Sequence, residues 1–127
     1  LEYFDRLFDK LDHQRPSLNY CGAGKTYAMV DSNNRLFSCP WDVNDKDLQL
    51  GVGTYFSKEK TAQYQKNQVE KPDCQSCWAK YLCGGGCSYI HKTSGFQTSK
   101  SFCNKERSLI KIGLMYYLLA RGDFYES

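Results

Sequence analysis

No apolar run in this sequence is long enough to cross a bilayer. The longest such stretch, Ile112 to Ala120, falls far short of the ~18 residues a spanning helix needs. Polar residues dominate the rest, which predicts a soluble protein, expected in the cytoplasm. A starting Met is also lacking, and Leu1 is followed by neither a basic nor a long apolar leader. The expectation is a piece of a longer chain without a targeting peptide. Charge of one sign is not concentrated. The formal net charge is +3, and lysines such as Lys58, Lys60, Lys66 and Lys71 are interleaved with acids and glutamines, whereas nucleic-acid binding asks for a basic face. The ten tyrosines are read as packing residues with rim hydroxyls in preference to base-stacking platforms. Histidine is scarce, at two residues, and His13 and His91 are read as ordinary surface or boundary side chains. Repeats and low-complexity tracts are absent.

What is present in excess is cysteine: Cys21, Cys39, Cys74, Cys77, Cys83, Cys87 and Cys103. An odd count fits a closed disulfide framework poorly, and without a secretory signal metal ligation in a reducing compartment explains it better.

Periodicity sets the frame around these thiols. Leu1, Phe4, Leu7, Phe8 and Leu11 recur at helical spacing, predicting an amphipathic helix from Leu1 to Gln14 that Arg15-Pro16 ends. Lys25 to Asp31 and Arg35 to Ser38 read as two strands around Ser32-Asn33-Asn34, a hairpin that brings Cys21 and Cys39 to one end. Ser57 is placed to cap a helix from Lys58 to about Val69, stopped by Lys71-Pro72. Cys74 to Cys87 reads as a loop-rich knot. Asn104 to Arg121 is the strongest helix, with Gly122 just beyond it. Its apolar surface is wide enough to be packed on two sides.

The sharpest local signal is Cys74-x2-Cys77-x5-Cys83-x3-Cys87. A Cys-x2-Cys turn aims two thiolates at one metal centre, and Gly84, Gly85 and Gly86 lack the Cβ atoms that would keep the backbone from an inorganic cluster. Zinc takes such pairs too. Seven thiols divide as four plus three, which suits one fully ligated iron–sulfur cluster and a second with a vacant or non-cysteine corner.

The whole pattern resembles the SPASM domain, the C-terminal auxiliary-cluster domain of many radical S-adenosylmethionine enzymes. That family runs Cys, Gly-x4-Cys, Cys-x2-Cys-x5-Cys-x3-Cys and a last Cys, and this chain supplies all seven cysteines in that order over roughly residues 20 to 105. Cys21-Gly22-Ala23-Gly24 and Leu82-Cys83-Gly84-Gly85-Gly86-Cys87 are also similar to family members. Two positions depart from it. The glycine of Gly-x4-Cys is Asn34 here, the next most tolerant residue for a left-handed turn. The eighth cysteine that some relatives carry after the first is missing, so Asp42 is a candidate for the extra ligand if the corner is not open.

The resemblance implies two [4Fe–4S] clusters with interleaved ligands: Cys21, Cys39 and Cys87 on auxiliary cluster I, and Cys74, Cys77, Cys83 and Cys103 on auxiliary cluster II. It implies an α+β fold, with a small antiparallel β-hairpin, cysteine-rich cluster-binding loops and flanking α-helices. It divides the chain into a helix and linker at 1–19, the cluster domain at 20–105 and a docking helix at 106–127. The partners it implies are a radical S-adenosylmethionine barrel upstream in the same parent chain and a peptide or protein substrate, with no nucleic acid and no membrane. Ile90 stands where a Cys-x3-Cys-x2-Cys loop would need its third cysteine. S-adenosylmethionine and a third [4Fe–4S] cluster are therefore expected upstream of Leu1, and this chain alone is not expected to be an enzyme. The parent would be a peptide- or protein-modifying oxidoreductase, with thioether formation in a ribosomal peptide as the narrower reading. A zinc-binding interaction module and a stand-alone ferredoxin-like electron carrier are the alternatives.

Overall fold

The structure is a computed structural model and describes residues 2–93 and 99–121. Helix and sheet are mixed, as an α+β fold requires: six α-helices accompany one small four-stranded antiparallel sheet among the described residues.

Helix α1 (Glu2–Asp12) carries the amphipathic stripe read from the sequence; Leu1 lies outside the described residues. Gln14, at φ +53°, leaves the helical region just before Arg15-Pro16. The stripe packs on α6 (Lys100–Arg121). Phe4 leans on Tyr116 and Phe8 on Tyr117, with ring centroids 6.3 and 5.7 Å apart, and the Tyr117 hydroxyl donates to Asp12 at 2.9 Å. The helices approach closely at Gly113, where an added Cβ would lie 2.4 Å from Leu7. Burial of Leu7 stabilises this contact by about 2 kcal/mol.

Helix α6 begins four residues earlier than the apolar pattern predicts, at Lys100 instead of Asn104. The reason is a cap: the Phe102 N–H donates to Ser99 Oγ at 3.3 Å, satisfying a first-turn donor. Cys103 therefore stands inside the first turn of a helix. Gly122, expected just past the helix end, lies outside the described residues. Ile110 is wholly buried, whereas Ile112, Met115, Leu118 and Leu119 are exposed.

Strands β1 (Met29–Val30) and β2 (Arg35–Phe37) pair as Met29 with Phe37 and Val30 with Leu36, shorter than expected but in the expected place. The Asp31 carboxylate accepts the N–H groups of Asn33 and Arg35 at 2.9 and 2.8 Å. Asn34 takes φ +60°, the left-handed role that suits asparagine. Two further strands, β3 (Gly51–Val52) and β4 (Tyr55–Phe56), extend the hairpin into a meander in the order β1-β2-β3-β4. Leu36, Leu50 and Tyr64 form a small core beside it.

The helix expected from Lys58 to about Val69 does not persist. Ser57 Oγ does accept the Lys60 N–H, at 3.3 Å, yet α2 covers only Lys58–Thr61 and is followed by 3₁₀ turns at Ala62–Tyr64 and Gln68–Glu70. Only Tyr64 and Val69 are buried in this stretch, so a continuous helix would gain little from packing. The Lys25 ammonium instead takes the carbonyls of Tyr64, Gln65 and Lys66 at 2.9, 3.1 and 3.3 Å. The cysteine stretch is more ordered than its composition suggests, with short helices α3 (Pro72–Gln75), α4 (Lys80–Cys83) and α5 (Ser88–Thr93).

Candidate metal centre

Two chain segments fix the frame around the thiols. Residues 17–19 run as a strap: Ser17 N–H donates to Tyr81 O at 2.7 Å, Val69 N–H to Leu18 O at 3.2 Å and Gln68 N–H to Asn19 Oδ1 at 2.9 Å. Cys21 is thereby held beside the end of α4. The glycine triplet is the second segment, with φ of +81°, +95° and +81° at Gly84, Gly85 and Gly86. A Cβ at Gly84 would lie 2.6 Å from the Asn19 backbone, and one at Gly85 would lie 2.7 Å from the Gln68 carbonyl carbon. The sequence suggests that these glycines clear space for an inorganic cluster. The space their missing side chains leave is filled by protein, and the left-handed backbone itself is what requires glycine.

His91 braces this turn and is not a surface or boundary residue, being only 3 % exposed. Its Nε2 donates to Gly85 O at 3.1 Å and its Nδ1 accepts the Ser99 N–H at 2.7 Å. Burial, reinforced by the Lys71 charge, holds its pKa below the usual histidine value. Both ring nitrogens are engaged by backbone, and the second contact seats the cap of α6 and hence Cys103. His13 is exposed, 3.1 Å from the Asp9 carboxylate.

All seven cysteines are free thiols, and several have other thiols as electrostatic neighbours; the Tyr20 phenol has both Cys87 and Cys83 near it. Burial first, then the charges of Cys21, Cys39 and Cys87, raises the pKa of the Tyr27 phenol, which also hydrogen-bonds Cys21. Burial likewise pushes up the Cys74 thiol, with Cys103 and Cys77 adding to the rise against the Lys71 ammonium. Cys83 is raised by burial, with Glu106, Cys103 and Cys74 adding to it. The three thiols around Tyr27 thus come from separated stretches, and a stacked pair, Trp41 on Tyr89 at 6.2 Å, ties the Cys39 turn to the residues after Cys87. Cys21 and Cys83 both line a cavity of about 340 Å³ with Tyr3, Lys10 and Glu106.

The surroundings of the thiols differ in charge. Beside Cys74, Cys83 and Cys103 lies Lys71, whose pKa is lowered by burial and partly restored by those three thiols; its Nζ donates to Gly85 O at 2.5 Å. Arg107 donates to Cys77 Sγ at 3.7 Å. The sequence reading does not single out Tyr27, Lys71 or Arg107 as site residues. A signal existed for two of them: Arg107 follows Cys103 by one helical turn, and Lys71 precedes Cys74 by three residues.

Cys39 has an anion beside it. Cys39 precedes the 3₁₀ turn Pro40–Asp42, closed by Asp42 N–H to Cys39 O at 3.1 Å. Burial raises the Cys39 thiol; the Trp41 and Asp42 N–H groups lower it, and the Asp42 carboxylate, by its charge and by accepting the thiol's hydrogen bond, raises it. Asp42 is 1 % exposed. Ser38 Oγ donates to its Oδ2, and its Oδ1 has no hydrogen-bond partner.

Among the described residues no three Cys, His, Asp or Glu side chains converge as the ligands of one ion would. A tetrahedral zinc site needs such convergence, with each sulfur ≈ 2.3 Å from the metal. A four-iron cluster gives each thiolate its own iron, so it asks for thiols around a shared volume. The donor set here, seven free thiols with cations near some of them and an unpartnered buried carboxylate oxygen, is of the soft chemistry an iron–sulfur cluster takes. No model of a known protein family matches the chain, and a search of curated proteins returns no match.

Proposed function

We propose that this chain binds two [4Fe–4S] clusters, one through Cys21, Cys39 and Cys87 and one through Cys74, Cys77, Cys83 and Cys103, in the service of a radical enzyme that modifies a peptide or protein. The reading rests on one observation above the others: seven free thiols in the order Cys21, Cys39, Cys74-x2-Cys77-x5-Cys83-x3-Cys87 and Cys103, with Cys77 and Cys103 neighbours of Cys74, and Cys21, Cys39 and Cys87 near Tyr27. Bound clusters would supply one-electron transfer or a soft Lewis-acidic corner. The chain's own residues contribute the ligands, the cations Lys71 and Arg107 beside one set, and the Tyr27 hydroxyl beside the other. The exposed face of α6, with Met115, Leu118 and Leu119, is the surface proposed to pack against the radical-generating barrel.

Protein prepared without oxygen is expected to carry about eight iron and eight acid-labile sulfide per chain. Joint assay of iron, sulfide and zinc decides it; one tightly bound zinc without sulfide overturns the reading in favour of a zinc module.

The unequal charge around the two sets gives a second expectation. Cations beside a thiolate ligand favour the reduced, more negative cluster. Arg107→Gln is expected to make the potential of the Cys74/Cys77/Cys83/Cys103 cluster more negative by roughly 50 mV, about the tenfold step of a one-electron couple. The other cluster should not move. A redox titration followed by electron paramagnetic resonance reads both signals, and a shift confined to the Cys21/Cys39/Cys87 signal would contradict the assignment.

A further inference from the structure

We infer that the Asp42 carboxylate is the fourth protein ligand of the Cys21/Cys39/Cys87 cluster, closing a corner that the cysteine count leaves open. The inference rests on the two-cluster reading above and adds to it a specific donor atom. Ionised carboxylates are almost never buried unless they are paired with a cation or bound to a metal. Asp42 is 1 % exposed; its partners are neutral, the Ser38 hydroxyl on Oδ2 and the adjoining Cys39 thiol. Oδ1 has none. No Lys, Arg or His is salt-bridged to it among the described residues. A buried acceptor left so is destabilising unless something electropositive faces it.

The local fold aims the group. Pro40 starts a 3₁₀ turn directly after Cys39, and one such turn returns the chain over itself in three residues, so the carboxylate stands beside the Cys39 sulfur. Ser38 then fixes the carboxylate rotamer by holding the other oxygen, the arrangement expected of an outer partner that orients a metal ligand. Carboxylate oxygen is a harder donor than thiolate but serves iron. A corner occupied in this way is closed to a substrate thiol. The Cys21/Cys39/Cys87 cluster then works by passing electrons, and a peptide substrate is held by other surfaces.

The test uses the full chain loaded with iron and sulfide, titrated with a small thiol and followed by Mössbauer and electron paramagnetic resonance spectroscopy. Asp42→Asn keeps the volume and a Ser38 partner while removing the anionic oxygen; Asp42→Cys restores a strong ligand; Ser38→Ala removes only the orienting hydroxyl. In the wild type and in Asp42→Cys the Cys21/Cys39/Cys87 signal should be indifferent to thiol. In Asp42→Asn its response should be roughly tenfold larger or more, or that cluster alone should be lost while the other persists. Ser38→Ala should respond weakly. A wild-type cluster that already takes up thiol, or an Asp42→Asn cluster as indifferent as the wild type, overturns the Asp42 assignment and leaves two clusters in place. A wild-type chain without iron and sulfide overturns the two-cluster reading as well.

Discussion

Cys77→Ala should remove the Cys74/Cys77/Cys83/Cys103 cluster and spare the other, while Cys39→Ala should do the reverse. Each variant is expected to keep about half the iron of the wild type and one of two paramagnetic signals. The strictest form of the comparison is Cys83→Ala against Cys87→Ala. These cysteines are separated only by the glycine triplet, yet Cys83 has Cys103 and Cys74 as charge neighbours, and Cys87 faces Tyr27 with Cys21 and Cys39. Ligands of a single centre would give indistinguishable losses when replaced singly. Equal loss of both signals in Cys83→Ala and Cys87→Ala, with circular dichroism unchanged, would refute the interleaved assignment. Unchanged circular dichroism matters because ligation and folding are coupled, and a collapsed chain would lose both clusters whatever the ligand sets.

Gly85→Ala is expected to lower the thermal midpoint of the loaded domain by about 10 °C. Two costs add. Holding alanine at φ +95° costs about 1–2 kcal/mol, and the new methyl would sit 2.5 Å from Gln68 Cβ and 2.7 Å from its carbonyl carbon, adding about 1–3 kcal/mol of overpacking. At a few degrees per kcal/mol for a domain of this size, the sum is of that order. Gly53→Ala is the control. Its φ is +61°, but an added Cβ would meet nothing within 4 Å, so it should show only the backbone cost, about 4 °C. Equal midpoints for the two variants would mean that the Gly85 turn is not packed as described.

What could be read from the sequence was what repeats within a short window. Helix α1 and the body of α6 announce themselves by long apolar stripes, and Asn34 marks the β1–β2 turn by its tolerance of φ +60°. Strands β3 and β4, two residues each, are too short for alternation to register. The helix expected after Ser57 failed because its residues favour helix locally, while Lys25, from a distant loop, rewards an interrupted backbone there. The start of α6 was missed since Ser99 and Lys100 carry no apolar periodicity. At the site, the thiols were visible as residues and the division into two sets came from the family pattern. Lys71, Arg107 and Tyr27 are too common as residue types to stand out, and His91 looked ordinary because its two backbone contacts depend on chain reversals that no local pattern encodes.

The placement of Cys103 in the first turn of α6 also has a temporal meaning. A chain made on the ribosome exposes its N-terminal part first and folds domain by domain. Cys74, Cys77 and Cys83 emerge early, but the seventh thiol arrives only with the helix whose start is capped by Ser99 and held by His91, and whose far half packs on α1. Under the proposed ligand set, that centre would be completed only after Cys103 is made, at the same stage as the helix that covers α1. A stall before residue 103 would leave the earlier thiols and the apolar stripe of α1 exposed together.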